Sequence, residues 1–335
     1  MARRRLSDQQ KARVAKIQEK RRQRAATRAE QTLAENAETP QHTGRVIVRH
    51  GRNLLIRAAD GTGIHAMFRA NLGEVVCGDR VVWQQTANDE GVVVAVQPRD
   101  TALSRPGFDG REKAIAANIT QLVVVLACQP EPSGYMLDQY LIAAERIGVR
   151  GLICLNKADL LDDAGRAYFL KSFGHYQKIG YPVIQISAKT EHGLEPLLER
   201  LRNQTSILVG QSGVGKSSLI NALIPRQQAI EGGLSGATGL GRHTTSAARL
   251  YQLESGGELI DSPGVRSFRL GELTPRELER GFREFAPFLG HCRFHNCVHL
   301  AEPGCAVCAA AKRGAIKAER LYSYQHMVKS LSDPA

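Results

Sequence analysis

The stretch Gly210-Gln211-Ser212-Gly213-Val214-Gly215-Lys216-Ser217, followed by Ser218, constrains the fold more than any other in the chain. An apolar run of strand character, Ser206-Ile207-Leu208-Val209, precedes it, and Leu219-Ile220-Asn221-Ala222-Leu223 can wind as a helix after it. Strand, glycine-rich turn, Lys-Ser and helix are the parts of a phosphate-binding loop. Glycines lack Cβ atoms, so backbone N–H groups can curl round an anion, and the helix N-terminus adds partial positive charge. Lys216 is placed to reach the β- and γ-phosphates, and the Ser217 hydroxyl to ligate Mg²⁺. The sequence therefore predicts a nucleoside triphosphate site in an α/β domain.

Upstream of this loop the chain alternates strand-like and helix-like runs. Leu122–Ala127 reads as a buried strand, Leu137–Ile147 as a helix and Gly151–Leu155 as the next strand. Helical character over Tyr168–Ile179 leads to the strand Pro182–Ile186, and a helix over Leu194–Arg202 leads to the strand of the phosphate loop. Such alternation argues for a parallel, doubly wound sheet. The strand ending at Leu155 runs straight into Asn156-Lys157-Ala158-Asp159, at the strand end where open α/β sheets bind ligands. Asp159 there selects guanine, because its carboxylate can accept from both N1–H and the 2-amino group. Adenine offers no such pair of donors, and a desolvated carboxylate left without them is costly. The stem of Lys157 can cover one face of the base, and Asn156 can tie the loop to its neighbours. Ser187-Ala188-Lys189 follows the next strand and brings a small residue whose backbone N–H can approach guanine O6.

The 335 residues suffice for two or three domains. No apolar run has the length of a membrane span and no apolar segment follows the N-terminal charges as in a signal peptide, so no membrane partner is expected and a cytoplasmic protein is. Seven cysteines in so long a chain do not suggest a disulfide scaffold, and those near the C-terminus favour metal binding. The net charge of +12 is unevenly spread: residues 1–30 hold eleven Lys/Arg and three Asp/Glu, a surplus of eight. That excess favours a polyanionic partner.

Residues 1–42 form a basic tail with almost no aromatics, expected to stay disordered until bound. Over residues 43–105 short β-rich runs alternate with turn residues: Gly44–Arg49, Leu54–Arg57, Ile64–Phe68, Arg80–Trp83 and Val92–Val96. Five strands with little helix fit a small barrel such as an OB-fold. Arg45, Arg49, Arg52, Arg57 and Arg69 suit nucleic acid there. A turn-rich stretch, Pro98–Gly110, reads as the linker to the α/β domain.

The order of the motifs carries a resemblance. In ordinary translation-factor-class GTPases the phosphate loop comes first and the base-recognition motifs last. Here Asn156–Asp159 and Ser187–Lys189 precede Gly210–Ser217, and Asp261-Ser262-Pro263-Gly264 comes afterwards. That order is a circularly permuted GTPase, and with a barrel before it and a Cys/His cluster after it the chain from about Thr43 onward resembles the RsgA (YjeQ) family. The resemblance implies a permuted P-loop GTPase domain over 106–270, flanked by an OB-fold barrel and a helical zinc-binding domain over 271–335. It also implies a monomer that binds the small ribosomal subunit and its rRNA and assists late maturation, hydrolysing GTP to GDP and phosphate in a subunit-stimulated manner. A GTPase acting on another structured RNA, or a nucleotide-sensing RNA clamp with negligible turnover, would share these motifs.

Asp261 should meet Mg²⁺ through water, and Gly264 can present its N–H to the γ-phosphate. Gly232–Thr245 is glycine-rich and ends Gly241-Arg242-His243-Thr244-Thr245, the texture of a loop that orders on a γ-phosphate and Mg²⁺. One of Thr244 or Thr245 should complete the Mg²⁺ shell with Ser217. Val265 stands where many GTPases carry a water-orienting glutamine, so unassisted hydrolysis should be slow. His243 is the candidate for the missing group, since imidazole can orient or accept a proton from water near neutral pH.

Cys292, Cys297, His299 and Cys305 follow the spacing C-x4-C-x-H-x5-C. Three thiolates and one imidazole suit a closed, structural Zn²⁺ site. His291, His295 and Cys308 are rival ligands, and Cys305-x-x-Cys308 is a legitimate pair by spacing; the resemblance favours the first four. Thr274–Phe288 and Ala309–Lys329 read as helical, the second offering Lys312, Arg313, Lys317, Arg320 and Lys329 to RNA.

Overall fold

A computed structural model describes residues 40–68, 72–87, 89–107, 112–224, 248–262 and 273–332. The basic tail expected over 1–42 falls almost wholly outside them, as does Arg69. The described chain divides into two compact units, residues 40–75 with 79–99 and residues 76–78 with 100–332.

The first unit is a closed five-stranded, OB-like barrel. Its strands are β1 Gln41–His50, β2 Asn53–Ala58, β3 Gly63–Phe68, β4 Arg80–Ala87 and β5 Glu90–Val96. β1 pairs antiparallel with β2 and with β4, β2 with β3, β4 with β5, and β3 runs parallel to β5. Alternate residues point inward: Leu54 and Ile56 on β2, Ile64 and Ala66 on β3 are buried. Trp83 fills the centre, and a Cβ on Gly91 would stand 2.7 Å from its ring, so glycine is what admits the indole. Asp79, fully buried, is neutralised by Arg99, whose Nε and Nη2 donate to its two oxygens at 2.7 and 2.8 Å.

The second unit begins with a hairpin, β6 Ala102–Pro106 and β7 Glu112–Ala117, where the sequence reads a linker. β6 buries only Leu103, too little alternation to stand out among turn residues. The sheet follows: β8 Gln121–Ala127, β9 Arg150–Asn156, β10 Val183–Gln185, β11 Thr205–Val209, β12 Ala248–Gln252 and β13 Glu258–Asp261. The order is β10-β9-β8-β11-β13-β12. Neighbours are parallel except β12, which is antiparallel to β13. All seven residues of β8 are buried, as a strand covered on both faces requires.

The helices are α1 Gly134–Ile147, α2 Asp163–Phe173, α3 His175–Lys178, α4 Leu194–Leu201, α5 Lys216–Leu223, α6 Pro275–Arg280, α7 Ala306–Lys312 and α8 Ala318–Ser332. The run read over Tyr168–Ile179 starts earlier, where Asp162 caps α2, and breaks at Gly174. The two C-terminal runs break as well. Thr274–Phe288 becomes α6 and the 3-10 helix Arg283–Phe288, while α7 and α8 are parted near Gly314, whose φ is +77°.

α1 lies between two cores. Ile142 joins Phe282, Phe285, Val307, Tyr324 and Met327 of the C-terminal helices. Beside it Arg320, 1% exposed, pairs with Asp138 of α1 and with Glu284, at 2.6 Å to the latter. Arg320 therefore does not face RNA, as its place among the basic residues of that run suggests, but fastens α8 to α1. Lys312, Arg313, Lys317 and Lys329 are exposed. No helix among the described residues is long and apolar enough to cross a membrane.

Candidate nucleotide site and metal centre

Because β8, β9, β10, β11 and β13 run parallel, their carboxyl ends share one edge of the sheet. Asn156, the Ser187 turn, the phosphate loop and Asp261 all follow from those ends. Asn156, 2% exposed, joins three of them. Its Nδ2 donates to Val214 O in the phosphate loop at 2.9 Å, and its Oδ1 accepts from Ala188 N at 3.0 Å. Ala188 N–H, expected to approach guanine O6, is thus engaged with Asn156 in this arrangement. Ser187 is buried and its Oγ accepts from Thr190 N at 3.2 Å, which closes the turn.

The phosphate loop has the backbone its glycines permit. Gly210, Gly213 and Gly215 have φ of +139°, +85° and +89°. A Cβ at Gly210 would collide with Val125 O, and one at Gly215 with the Asn156 amide. Lys216 Nζ folds over the loop, donating to Gly210 O at 2.7 Å and Gln211 O at 2.6 Å. Val214 is buried beneath it, whereas Ser212, Gly213, Ser217 and Ser218 are exposed. Asp159 is exposed at the rim, and Asp261 closes β13, half-buried. Lys157 sits at φ +61° and its Nζ donates to Gln129 O at 2.8 Å, so its stem lies beside the rim. His243, Thr244, Thr245, Gly264 and Val265 lie outside the described residues.

Three partners escape a reading of the sequence. Gln129 fixes Lys157 by a carbonyl, which has no side-chain signature. Met136 of α1 accepts from Gln211 Nε2 at 3.1 Å, and the Tyr140 hydroxyl meets the Gly210 backbone. α1 thus touches the phosphate loop on one side and Arg320 on the other. Cys128, half-buried, has its sulfur 3.8 Å from Lys157 O.

The Cys/His cluster is compact. His299 Nδ1 lies 3.5 Å from the Cys292 and Cys297 sulfurs and 3.3 Å from that of Cys305, while the Cys292 and Cys305 sulfurs are 3.9 Å apart. A tetrahedral zinc with bonds of about 2.3 Å to sulfur and 2.0 Å to nitrogen requires ligand separations of about 3.5–3.8 Å. The donor set therefore fits zinc in chemistry and in size. Glu279 of α6 accepts from His299 Nε2 at 3.0 Å, which fixes the ring so that Nδ1 faces the sulfurs. Burial raises the Cys305 thiol, but the Cys308 N–H and the His299 ring outweigh it and bring it down to about 7. Burial and the Cys305 and Cys292 thiols push Cys297 up. Cys308 stands outside the cluster of mutually close ligand atoms.

Comparison with known proteins agrees with this geometry. The family model of the RsgA GTPase matches residues 96–271. The small ribosomal subunit biogenesis GTPase RsgA of Hahella chejuensis is 44% identical over 340 residues, covering 99% of this chain and 98% of that protein. The Pseudomonas aeruginosa protein of the same name is 44% identical over 336 residues, 99% of each chain. Among solved structures, YjeQ from Thermotoga maritima superposes with a TM-score of 0.72 at 29% identity, over 88% of this chain and all of that one. YloQ, described as a circularly permuted GTPase, gives 0.69 at 27% identity, over 88% and 96%. With its shuffled motifs on one sheet edge, a barrel before them and a Cys/His cluster after, this chain belongs to the RsgA GTPase family.

Proposed function

We propose that the protein is a GTPase of small-subunit biogenesis: a cytoplasmic monomer, with no membrane partner, that docks on the small ribosomal subunit through its rRNA, hydrolyses GTP to GDP and phosphate faster when docked, and then leaves. The observation that carries the reading is Asn156, which draws base-recognition turn, phosphate loop and Ser187 turn into one pocket. Asp159 accepts from the two guanine donors and Lys157 covers the ring. The Ala188–Lys189 backbone lies nearest O6. The N–H groups of Gly213 to Ser217 cradle the β-phosphate, and Lys216 swings from the loop carbonyls to the β- and γ-phosphates.

Mg²⁺ bound with the nucleotide would neutralise charge developing between these phosphates. Ser217 and one of Thr244 or Thr245 would hold it, with Asp261 acting through water. His243 orients the attacking water, the task Val265 cannot perform. Zn²⁺, held by Cys292, Cys297, His299 and Cys305, would be structural. The basic tail and the exposed lysines and Arg313 of the C-terminal helices suit a polyanionic partner.

The test is GTP turnover with and without purified small subunits. Stimulation in the native chain, lost in His243→Ala while GTP affinity stays, is expected. Turnover indifferent to the subunit would overturn the docking reading, and stimulation that survives in His243→Ala would remove that residue from catalysis.

A further inference from the structure

One thiol beside the knuckle, Cys308, stands outside the four ligand atoms that fit zinc. Cys305 is the N-cap of α7, and Cys308, one turn on, donates its N–H to the Cys305 sulfur at 3.4 Å. The Cys308 sulfur rests 3.5 Å from His299 O and 4.0 Å from Gln325 Nε2. Residues three apart at a helix start have Cα atoms about 5 Å apart, inside the range a disulfide spans. Both cysteines also line a cavity of about 1340 Å³ between α1, α2 and the last two helices. Cys292, Cys297 and His299 border a separate, smaller cavity on the other side of the knuckle, about 220 Å³. A small solute can therefore reach Cys305 and Cys308 together from the larger cavity.

We propose that Cys305 and Cys308 form a peroxide-responsive dithiol whose oxidation releases the knuckle's zinc; the inference rests on reading the Cys/His cluster as a zinc site. The Cys305 thiolate attacks one oxygen of hydrogen peroxide. The O–O bond breaks, hydroxide leaves and takes up a proton as water, and Cys305 becomes a sulfenic acid. The Cys308 sulfur attacks the Cys305 sulfur, the S–O bond breaks, and the second oxygen departs as water with the Cys308 proton. The two sulfurs lose two electrons to the peroxide, and the metal leaves unchanged as Zn²⁺. A disulfide sulfur is no longer a thiolate ligand, so the closed site falls to three protein donors. Reduction by a dithiol restores both thiols and lets zinc return.

The experiment uses the full chain purified under reducing conditions. Bound zinc is measured first, then its release under hydrogen peroxide with a chromogenic chelator, and disulfides are mapped by peptide mass spectrometry. The same is done with Cys308→Ser, which keeps a donor toward His299 O and leaves the nucleotide site untouched. The expected result is loss of the bound zinc with a Cys305–Cys308 disulfide in the native chain, reversed by dithiothreitol and zinc. Cys308→Ser should keep its zinc before oxidation, release it several-fold more slowly and gain oxygen on Cys305. Equal release from the two chains, a disulfide mapped to Cys292 or Cys297, or zinc retained by the oxidised native chain would each overturn the proposal. A chain that carries no zinc at the outset would instead remove the zinc reading beneath it, so the two failures are told apart.

Discussion

The Cys/His knuckle and the candidate nucleotide cleft place their working groups in opposite ways. In the knuckle four side chains from one short stretch converge to within 4.8 Å of one another, two of them buried, with Glu279 already behind His299. In the cleft the side chains that would touch nucleotide, Asp159, Ser217 and Ser218, are exposed, and burial is reserved for Asn156, Ser187 and Val214, which hold the loops. Side-chain convergence fixes the first site. Sheet topology and one buried amide fix the second, which can therefore open and refill while the knuckle stays closed.

If that contrast holds, taking zinc away should unfold one region and spare the other. Structural zinc contributes about 10–16 kcal/mol of apparent binding free energy in small knuckles. Chelation, or Cys297→Ala, should abolish cooperative melting of the C-terminal helices while GTP affinity, read by fluorescent-nucleotide titration, stays near its native value. A parallel collapse of GTP binding would break the comparison. Next in size is Arg320→Met, which leaves Asp138 and Glu284 as buried charges without their partner and should cost about 3–5 kcal/mol by denaturant unfolding. Burial raises the Asp138 carboxyl above its ordinary value, against the pull of Arg320. A group whose folded pKa is raised stabilises at low pH and loses that contribution as pH rises through it. The variant should therefore regain stability on mild acidification, and an unchanged deficit at every pH would exclude Asp138 as the cause.

At the cleft the expected loss is smaller and chemically selective. Asp159→Asn would remove the proposed acceptor of two guanine donors and should weaken GTP binding by about 3 kcal/mol, roughly a hundredfold. Zinc content and melting should not move, because Asp159 is exposed at the rim. Isothermal titration with GTP, XTP and ATP decides the matter: affinity regained for xanthine, whose 2-oxo group matches the new donor, sharpens the assignment, and GTP bound as before ends it.

Much of this was legible in the chain because the chemistry sits in contiguous words. Gly210–Ser217 and Asn156–Asp159 each bring their glycines, lysine or carboxylate within one loop, and their order alone implies the permutation. The Cys292–Cys305 spacing likewise places every candidate ligand in one turn-rich segment. What stayed hidden depends on long-range pairing. Arg320 lies among basic residues on a surface-like helix, and only the approach of α1 turns it inward to Asp138, 182 residues away. Glu279 looks like any charge on a short helix until His299 folds against it. β6 buries Leu103 alone and β7 buries Ile115, Ala116 and Ala117 in a row, so the hairpin prints no period of two.

The finest test lies where the knuckle's frame meets ordinary helix chemistry. Thr274 and Glu277 form a reciprocal cap at the start of α6, with Glu277 N–H donating to Thr274 Oγ1 at 3.2 Å and Thr274 N–H to Glu277 Oε2 at 2.7 Å. Partial burial raises the Glu277 carboxyl, but the Thr274 N–H and hydroxyl outweigh it and hold it below its ordinary value. A group so lowered stabilises above its unfolded pKa, and the contribution fades as pH falls through the folded one. Thr274→Ala should therefore cost about 1 kcal/mol near neutrality, and its gap to the native chain should narrow on acidification through the carboxylate range. Glu277 is largely exposed, so solvent keeps its own share small. α6 also carries Glu279, so a looser cap should speed zinc transfer to a chelator slightly and leave GTP affinity alone. Equal losses at both sites would mean that the cleft, too, leans on the knuckle's frame.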